Sequence, residues 1–389
     1  MAVGKLALPA GGSSGSSGLQ LNAKLSGAGT QFTTPAAITS RTESLAGYGR
    51  GSVENHTFVK LTASAGYNQY VGIKSNGTLW YWRDTSTDQP WMTAYRTWTQ
   101  YGTDTNWQHV VGGVRCFSYV KGGQLWFSGY GGDRQRGDGL TNDTTTPIAV
   151  NTAYTWVTSN TGHAMLSAIN SDGWLFTTGY GYDYQTGLNT LNIVATLTRE
   201  RTNRTDWLMA GGPWRGFHGL TTGGNLYFSG QNNYGVAGPL ITTSGSINGP
   251  TLSYSGANLT FISRSNRFHA HAIDSDTKIR FAGETGNSTQ KGRVDNVNTN
   301  LQYGSGFQVI DGGSTGWTFY GSQTGYGESW EWGGVAIKNG NVLVGGVASS
   351  NINFQLGATS NFQDWRTVYN TGTATAVAWG PDRVMVSCS

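Results

Sequence analysis

Cysteine is almost absent from this chain of 389 residues, which holds only Cys116 and Cys388. Two thiols are too few for a disulfide framework or a four-ligand metal site. They stand either as one bridge or as two separate buried thiols, the commoner fate of reduced cysteine. Charged residues make up just 12% of the chain at a net charge of +4, and Lys and Arg are scattered without a run. That excludes the basic patch of a nucleic-acid binder. No apolar run approaches the ~20 residues needed to cross a bilayer. The apolar core of Met1 to Ala10 is too short for a signal peptide. Paired carboxylates, a nucleophile elbow and a phosphate loop are also missing. The chain therefore reads as a non-enzyme with no catalytic residue, no cofactor and no metal.

Glycine and aromatic residues are plentiful instead, with 59 Gly, 15 Trp and 19 Tyr. Helical periodicity is missing, while alternation and turn residues recur, so the chain is all-β. Ala168 to Gly179 shows the unit: apolar residues lead into Asp172-Gly173, and Leu175 and Phe176 lead out to a glycine. Such a pair between alternating hydrophobics is a strong hairpin signal, because a tight turn needs positive φ. The second turn residue recurs at Gly77, Gly123, Gly173, Gly224, Thr277, Gly340 and Arg383. Spacing of about fifty residues indicates repeats of one architecture. A strand precedes each hairpin, beginning at Phe58, Trp107, Tyr154, Asp206, Leu259, Phe307 and Asp364. Thr145 to Val150 supplies a fourth strand, with Pro147 near its start. Four strands per unit and seven units predict a seven-bladed β-propeller.

The last unit has three strands before Ser389. Thr33-Thr-Pro35-Ala-Ala-Ile38 resembles Thr145 to Val150 and is expected to complete that blade, removing an open edge. Residues 33–389 are then the propeller. Residues 1–32 are a flexible anchor, with Val3, Leu6 and Leu8 in an apolar tip ahead of the Gly/Ser run 11–18.

The strand, glycine, hairpin and Gly-bearing loop together resemble the repeat of the regulator-of-chromosome-condensation family. Gln355-Leu-Gly357 and Gly230-Gln-Asn232 match parts of its loop, whereas Gly129-Tyr-Gly-Gly-Asp133 departs from it. The resemblance implies a seven-bladed propeller that binds proteins through loops on one face. It implies no chemistry, because fold does not fix function.

The loops offer the candidate interaction face. Gly129 and Gly137, Gly179 and Gly187, and Gly230 and Gly238 repeat one spacing in adjacent units. Between them lie Tyr130, Asp133, Tyr180, Tyr182, Asp183, Tyr184, Asn232 and Tyr234. Exposed tyrosines suit a protein interface or sugar stacking, and the competing role is packing between blades. Arg136-Gly137-Asp138 spells an integrin-type tripeptide, but the glycine spacing already accounts for Gly137. Asp133, Asp138 and Asp143 do not fit a calcium loop. His163, His218, His269 and His271 read as packed interior histidines. Trp80, Trp82, Trp91 and Trp98 read as core and rim.

The low-charge aromatic β composition and the N-terminal tip suggest a structural and recognition protein of a bacteriophage particle. Its partners would be other virion proteins and a host surface glycan or receptor, and its location the virion. The second reading is a soluble protein-binding regulatory module, like an exchange factor or enzyme inhibitor. A carbohydrate-active enzyme is third.

Overall fold

Each unit folds into an antiparallel sheet because its apolar runs are short, alternate, and end in turn residues. The computed structural model describes residues 20–24 and 52–54, residues 56–322 apart from short gaps, and 334–345, 366–369, 374–379 and 383–388. Six four-stranded blades follow one another along the chain. The first holds Phe58–Ala63, Gln69–Lys74, Leu79–Arg83 and Thr99–Gln100, and the second Trp107–Gly112, Cys116–Lys121, Gln124–Gly129 and Thr144–Asn151. The third holds Trp156–Thr161, Met165–Asn170, Leu175–Gly179 and Val194–Arg199, and the fourth Trp207–Gly211, Gly216–Thr221, Leu226–Gln231 and Ser246–Tyr254. The fifth holds Leu259–Ile262, His269–Asp274, Ile279–Gly283 and Gln308–Val309, and the sixth Trp317–Ser322, Gly334–Lys338, Asn341–Gly345 and Arg366–Tyr369.

The count is six blades rather than the expected seven. The remaining strands come from both ends of the chain and form a composite sheet. Its order is Ala374–Trp379, Arg383–Cys388, Gln20–Lys24 and Ser52–Glu54. The C-terminal end thus supplies two strands, where three were expected. The strand paired with Arg383–Cys388 is Gln20–Lys24, from within residues 1–32, the expected flexible anchor. Pro35 and Ile38 lie outside the described residues.

This shift follows from two strands having been assigned to the wrong blade. Gln308–Val309 does not open the sixth blade; it pairs with Arg280 and Phe281 as the outer strand of the fifth. Arg366–Tyr369 likewise pairs outward in the sixth, against Val342 to Val344. The strands that open the next sheets begin at Trp317 and Ala374. A backbone device identifies them. Every inner strand carries a register shift between its first and third residues, from Phe58/Lys60 round to Trp317/Phe319 and Ala374/Ala376. A bulge at a fixed place bends the strand and re-aims its side chains.

The core lies between blades. Trp107 packs with Val71, Ile73 and Leu79 of the preceding blade, and Trp156 with Val120 and Leu125. Trp207 packs with Met165, Ile169 and Leu175, and Trp317 with Ile273, Ile279 and Phe281. Burying an indole of ~150–250 Å² at ~25 cal/mol per Å² contributes at most about 4–6 kcal/mol. Each of these rings therefore welds one blade to its predecessor. Residues from the inner strands of the six blades and from Ala374–Trp379 of the composite sheet line a shared channel of about 450 Å³.

Candidate functional site

Because successive strands are antiparallel, the hairpin turns gather at one end of the blades. The loops between first and second, and third and fourth, strands gather at the other. All eight candidate residues stand on this second face. Their loops are fixed by glycine. Gly129, Gly179 and Gly230 have φ of 101°, 109° and 117°, in the region only glycine enters without strain. At the far end of the third-blade loop, a Cβ on Gly187 would stand 2.5 Å from Phe217 of the fourth blade. The spacing therefore presses each loop onto its neighbour.

That contact brings the candidates together across blade boundaries. The Tyr180 hydroxyl of the third blade comes near enough to the Asp133 carboxylate of the second for each to shift the other's titration. Burial raises the Asp133 carboxyl above its ordinary value, opposed by the polar Tyr180 hydroxyl and by the Arg115 charge. The Tyr180 hydroxyl is raised in turn, chiefly by the negative charge of Asp133. Tyr182 stacks on Tyr180 with centroids 4.8 Å apart and is 63% exposed. The Arg115 guanidinium sits 4.6 Å from the centre of the Tyr130 ring. Asp183 pairs with Arg215 of the fourth blade at 3.4 Å and accepts from Ser246 Oγ at 3.3 Å. Tyr303 of the fifth blade donates to the Asn233 carbonyl.

Two candidates are occupied in the loops themselves. Asn232 is buried, donating from Nδ2 to Thr243 O at 2.8 Å and accepting from Ala237 N–H at 2.9 Å. Tyr184 has φ of 60°, and its carbonyl accepts from Ser229 Oγ at 2.6 Å. Tyr234 is half-buried against Val236 and Ile241. Leu140, Leu191, Ile193 and Leu240, which the sequence reading passed over, are exposed on the same face. Their signal was position, since each follows a closing glycine by a few residues.

The other sequence candidates have structural roles. Arg136 is buried and binds Asp138 at 2.5 Å and the Asn142 carbonyl at 2.7 Å, so the tripeptide is folded onto itself. Asp143 accepts from Gly131 N–H at 3.1 Å. Cys116 is buried with Sγ 3.3 Å from Thr161 Oγ1, and the Cys388 side chain lies outside the described ones. His218, His269 and His271 are fully buried, and Nε2 of His218 lies 2.9 Å from Val236 O. Trp82 and Trp98 are core, with Trp80 beneath Lys74 Nζ at 3.5 Å. His163, Trp91, Val3, Leu6 and Leu8 lie outside the described residues. Among the described residues, no group of three metal-ligating side chains occurs, and no helix is long and apolar enough to cross a membrane.

No protein-family model matches the chain, and no curated protein matches it in sequence. Solved structures do. Human WBSCR16 is similar at a TM-score of 0.68 and 14% identity, covering 96% of this chain and 98% of its own. Yeast RCC1 (Prp20), solved with Kap60 bound, gives 0.67 and 13%, covering 96% and 89%. Prp20p from Saccharomyces cerevisiae, described with its binding to Gsp1p and histones, gives 0.64 and 12%, covering 96% and 92%. At these identities the likeness shows the fold alone, and that fold is an RCC1-like β-propeller.

Proposed function

We propose that this chain is a non-enzymatic protein-binding propeller that docks one partner on its loop face, across the second to fourth blades. The observation that carries the reading is the Asp133–Tyr180–Tyr182 group, which crosses a blade boundary and leaves a stacked aromatic pair facing solvent. Aromatic rings held rigid by neighbours lose little entropy on binding, which suits an interface centre. The aliphatic residues Leu140, Leu191 and Leu240 extend the apolar surface outward. The similar yeast propeller binds Kap60, Gsp1p and histones, which favours a regulatory protein-binding role over a virion one. The virion reading drew on composition and the N-terminal tip, and neither the fold nor the similar structures add to it.

The test is retention of a partner from source-cell extract. A double substitution, Tyr182→Ala with Leu191→Ala, should abolish retention, while Thr318→Ala at the channel should leave it intact. Retention unaffected by the loop-face variant would defeat the proposal.

We further read the composite sheet as the seventh blade that closes the ring. Its support is the bulge shared by its inner strand and that strand's place in the channel wall. Deleting residues 1–18 should leave the melting temperature unchanged, while deleting residues 1–24 should lower it. Equal melting temperatures would count against closure by Gln20–Lys24.

A further inference from the structure

The shared channel has two unlike walls. The third residue of each inner strand lines this channel, and six of these residues divide by chemistry. Lys60, His109 and Thr158 come from the first three blades, and Met209, Phe261 and Phe319 from the next three. Ala376 of the composite sheet separates the two groups on one side. Beside the aliphatic Val59, Leu61, Val110 and Val111, the first three blades thus contribute a cation and hydrogen-bonding groups, while the next three contribute aromatic and thioether side chains beside Thr318.

Both walls are tied together along the ring. His109 Nε2 lies 2.8 Å from Ser159 O and 3.2 Å from Thr158 Oγ1, joining the second blade to the third. The Phe261 and Phe319 rings meet with centroids 5.8 Å apart, joining the fifth to the sixth. Lys60 and His109 are the titratable groups among the described lining residues, and no carboxylate stands among them. The volume of about 450 Å³ falls within the ~300–1,000 Å³ usual for small-molecule sites.

We propose that this channel binds a small amphipathic anion, an aromatic or short aliphatic monocarboxylate. Its charged end would lie beside Lys60 and His109, and its apolar body would lie on Met209, Phe261 and Phe319. A cationic ligand has no counter-charge in this lining, and a purely apolar one would leave the Lys60 side unmatched.

The full-length protein can be titrated with 8-anilinonaphthalene-1-sulfonate and with its uncharged relative N-phenyl-1-naphthylamine, both followed by fluorescence. The sulfonate should bind at one site per chain and be displaced by 1-naphthoate. Lys60→Gln should weaken the sulfonate by about ten-fold, the loss of one charge-assisted contact, and leave the uncharged probe within about two-fold. Phe261→Ala should weaken both. Lys60 is exposed, so its substitution leaves the fold intact, and Tyr182→Ala on the loop face should change neither titration. The proposal is overturned by non-saturable binding, or by a Lys60→Gln effect that is absent or equal for the two probes. It is equally overturned if Tyr182→Ala removes the site.

Discussion

The backbone N–H of Trp207 donates to the carbonyl oxygen of Gly173 at 3.2 Å, linking the inner strand of one blade to the hairpin turn of the blade before it. The same bond joins Trp107 to Gly77, Trp156 to Gly123, Leu259 to Gly224, Trp317 to Thr277 and Ala374 to Gly340. A return bond accompanies it, with Thr222 N–H donating to Asp206 O at 2.8 Å. The turn glycine is demanded twice over. Gly173 has φ of 76°, and a Cβ there would stand 2.0 Å from Thr205 O. Gly173→Ala should therefore destabilise the protein by about 2 kcal/mol or more, as a strained φ and a backbone clash together require. Urea unfolding measures this. A loss below 0.5 kcal/mol would mean that the latch yields easily.

Buried histidines make stability depend on pH. Burial holds His218 down to about 4 and His269 to about 3, from an ordinary 6.5. The unfolded chain takes up these protons near pH 6.5, and the folded chain only well below it. Between those values the unfolded state binds more protons, so the contribution is complete above pH 6.5 and is lost as pH falls toward about 4 for His218 and about 3 for His269. At ~1.4 kcal/mol per pH unit, each histidine should cost roughly 2 kcal/mol at pH 5. Melting temperatures at pH 7.5, 6 and 5 check it. His218→Gln, which keeps a donor for Val236 O, should flatten the dependence; parallel curves would refute it.

Repeats were legible wherever turn glycine and leading tryptophan coincided. Asp172-Gly173 and Trp207 needed no structure to be seen as parts of one pattern. The sixth unit failed because Phe307, a large apolar residue ahead of Gln-Val-Ile, imitates an inner-strand leader. In the fold Phe307 has φ of 56° and packs on Tyr254 and His218, while Trp317 ten residues later takes the leading place. Alternation cannot separate an outer strand from an inner one, since both pair antiparallel and both follow turns. The same ambiguity made Arg366–Tyr369, an outer strand of the sixth blade, read as the opening strand of the last unit. In the site, tyrosine spacing was readable and exposure was not. Asn232 and Tyr182 occupy loops of one pattern, yet one is sealed by Thr243 and Ala237 and the other faces solvent. Cross-blade pairing, as between Asp133 and Tyr180, depends on packing that no single repeat encodes.

That pair yields a reciprocal titration. The Tyr180 hydroxyl favours the charged Asp133 carboxylate, so Tyr180→Phe should raise the Asp133 pKa further. The Asp133 charge disfavours tyrosinate, so Asp133→Asn should return the Tyr180 hydroxyl toward its ordinary value. Carbon-detected NMR titration of each variant follows both groups. A shift in one direction without the other would show that the two side chains are not partners.

The seam between the first blade and the composite sheet concentrates on Ser387. Elsewhere the first residue of an inner strand donates to a hairpin carbonyl of the preceding sheet, but Phe58 N–H donates to Ser387 Oγ at 2.8 Å. The same hydroxyl donates back to Phe58 O at 3.3 Å. Ser387 is fully buried, and Ala378 of the composite sheet packs with Phe58, Tyr70 and Trp82 of the first blade. Ser387→Ala would leave both backbone groups of Phe58 without this partner where water cannot reach them. Leaving buried polar groups unsatisfied costs about 1–3 kcal/mol, with little change of shape from losing one oxygen. Chemical unfolding should show that loss at an unaltered denaturant slope, because the surface exposed on unfolding stays the same. If the composite sheet did not seal against the first blade, water would satisfy Phe58 in the variant. Stability would then fall by less than 0.5 kcal/mol.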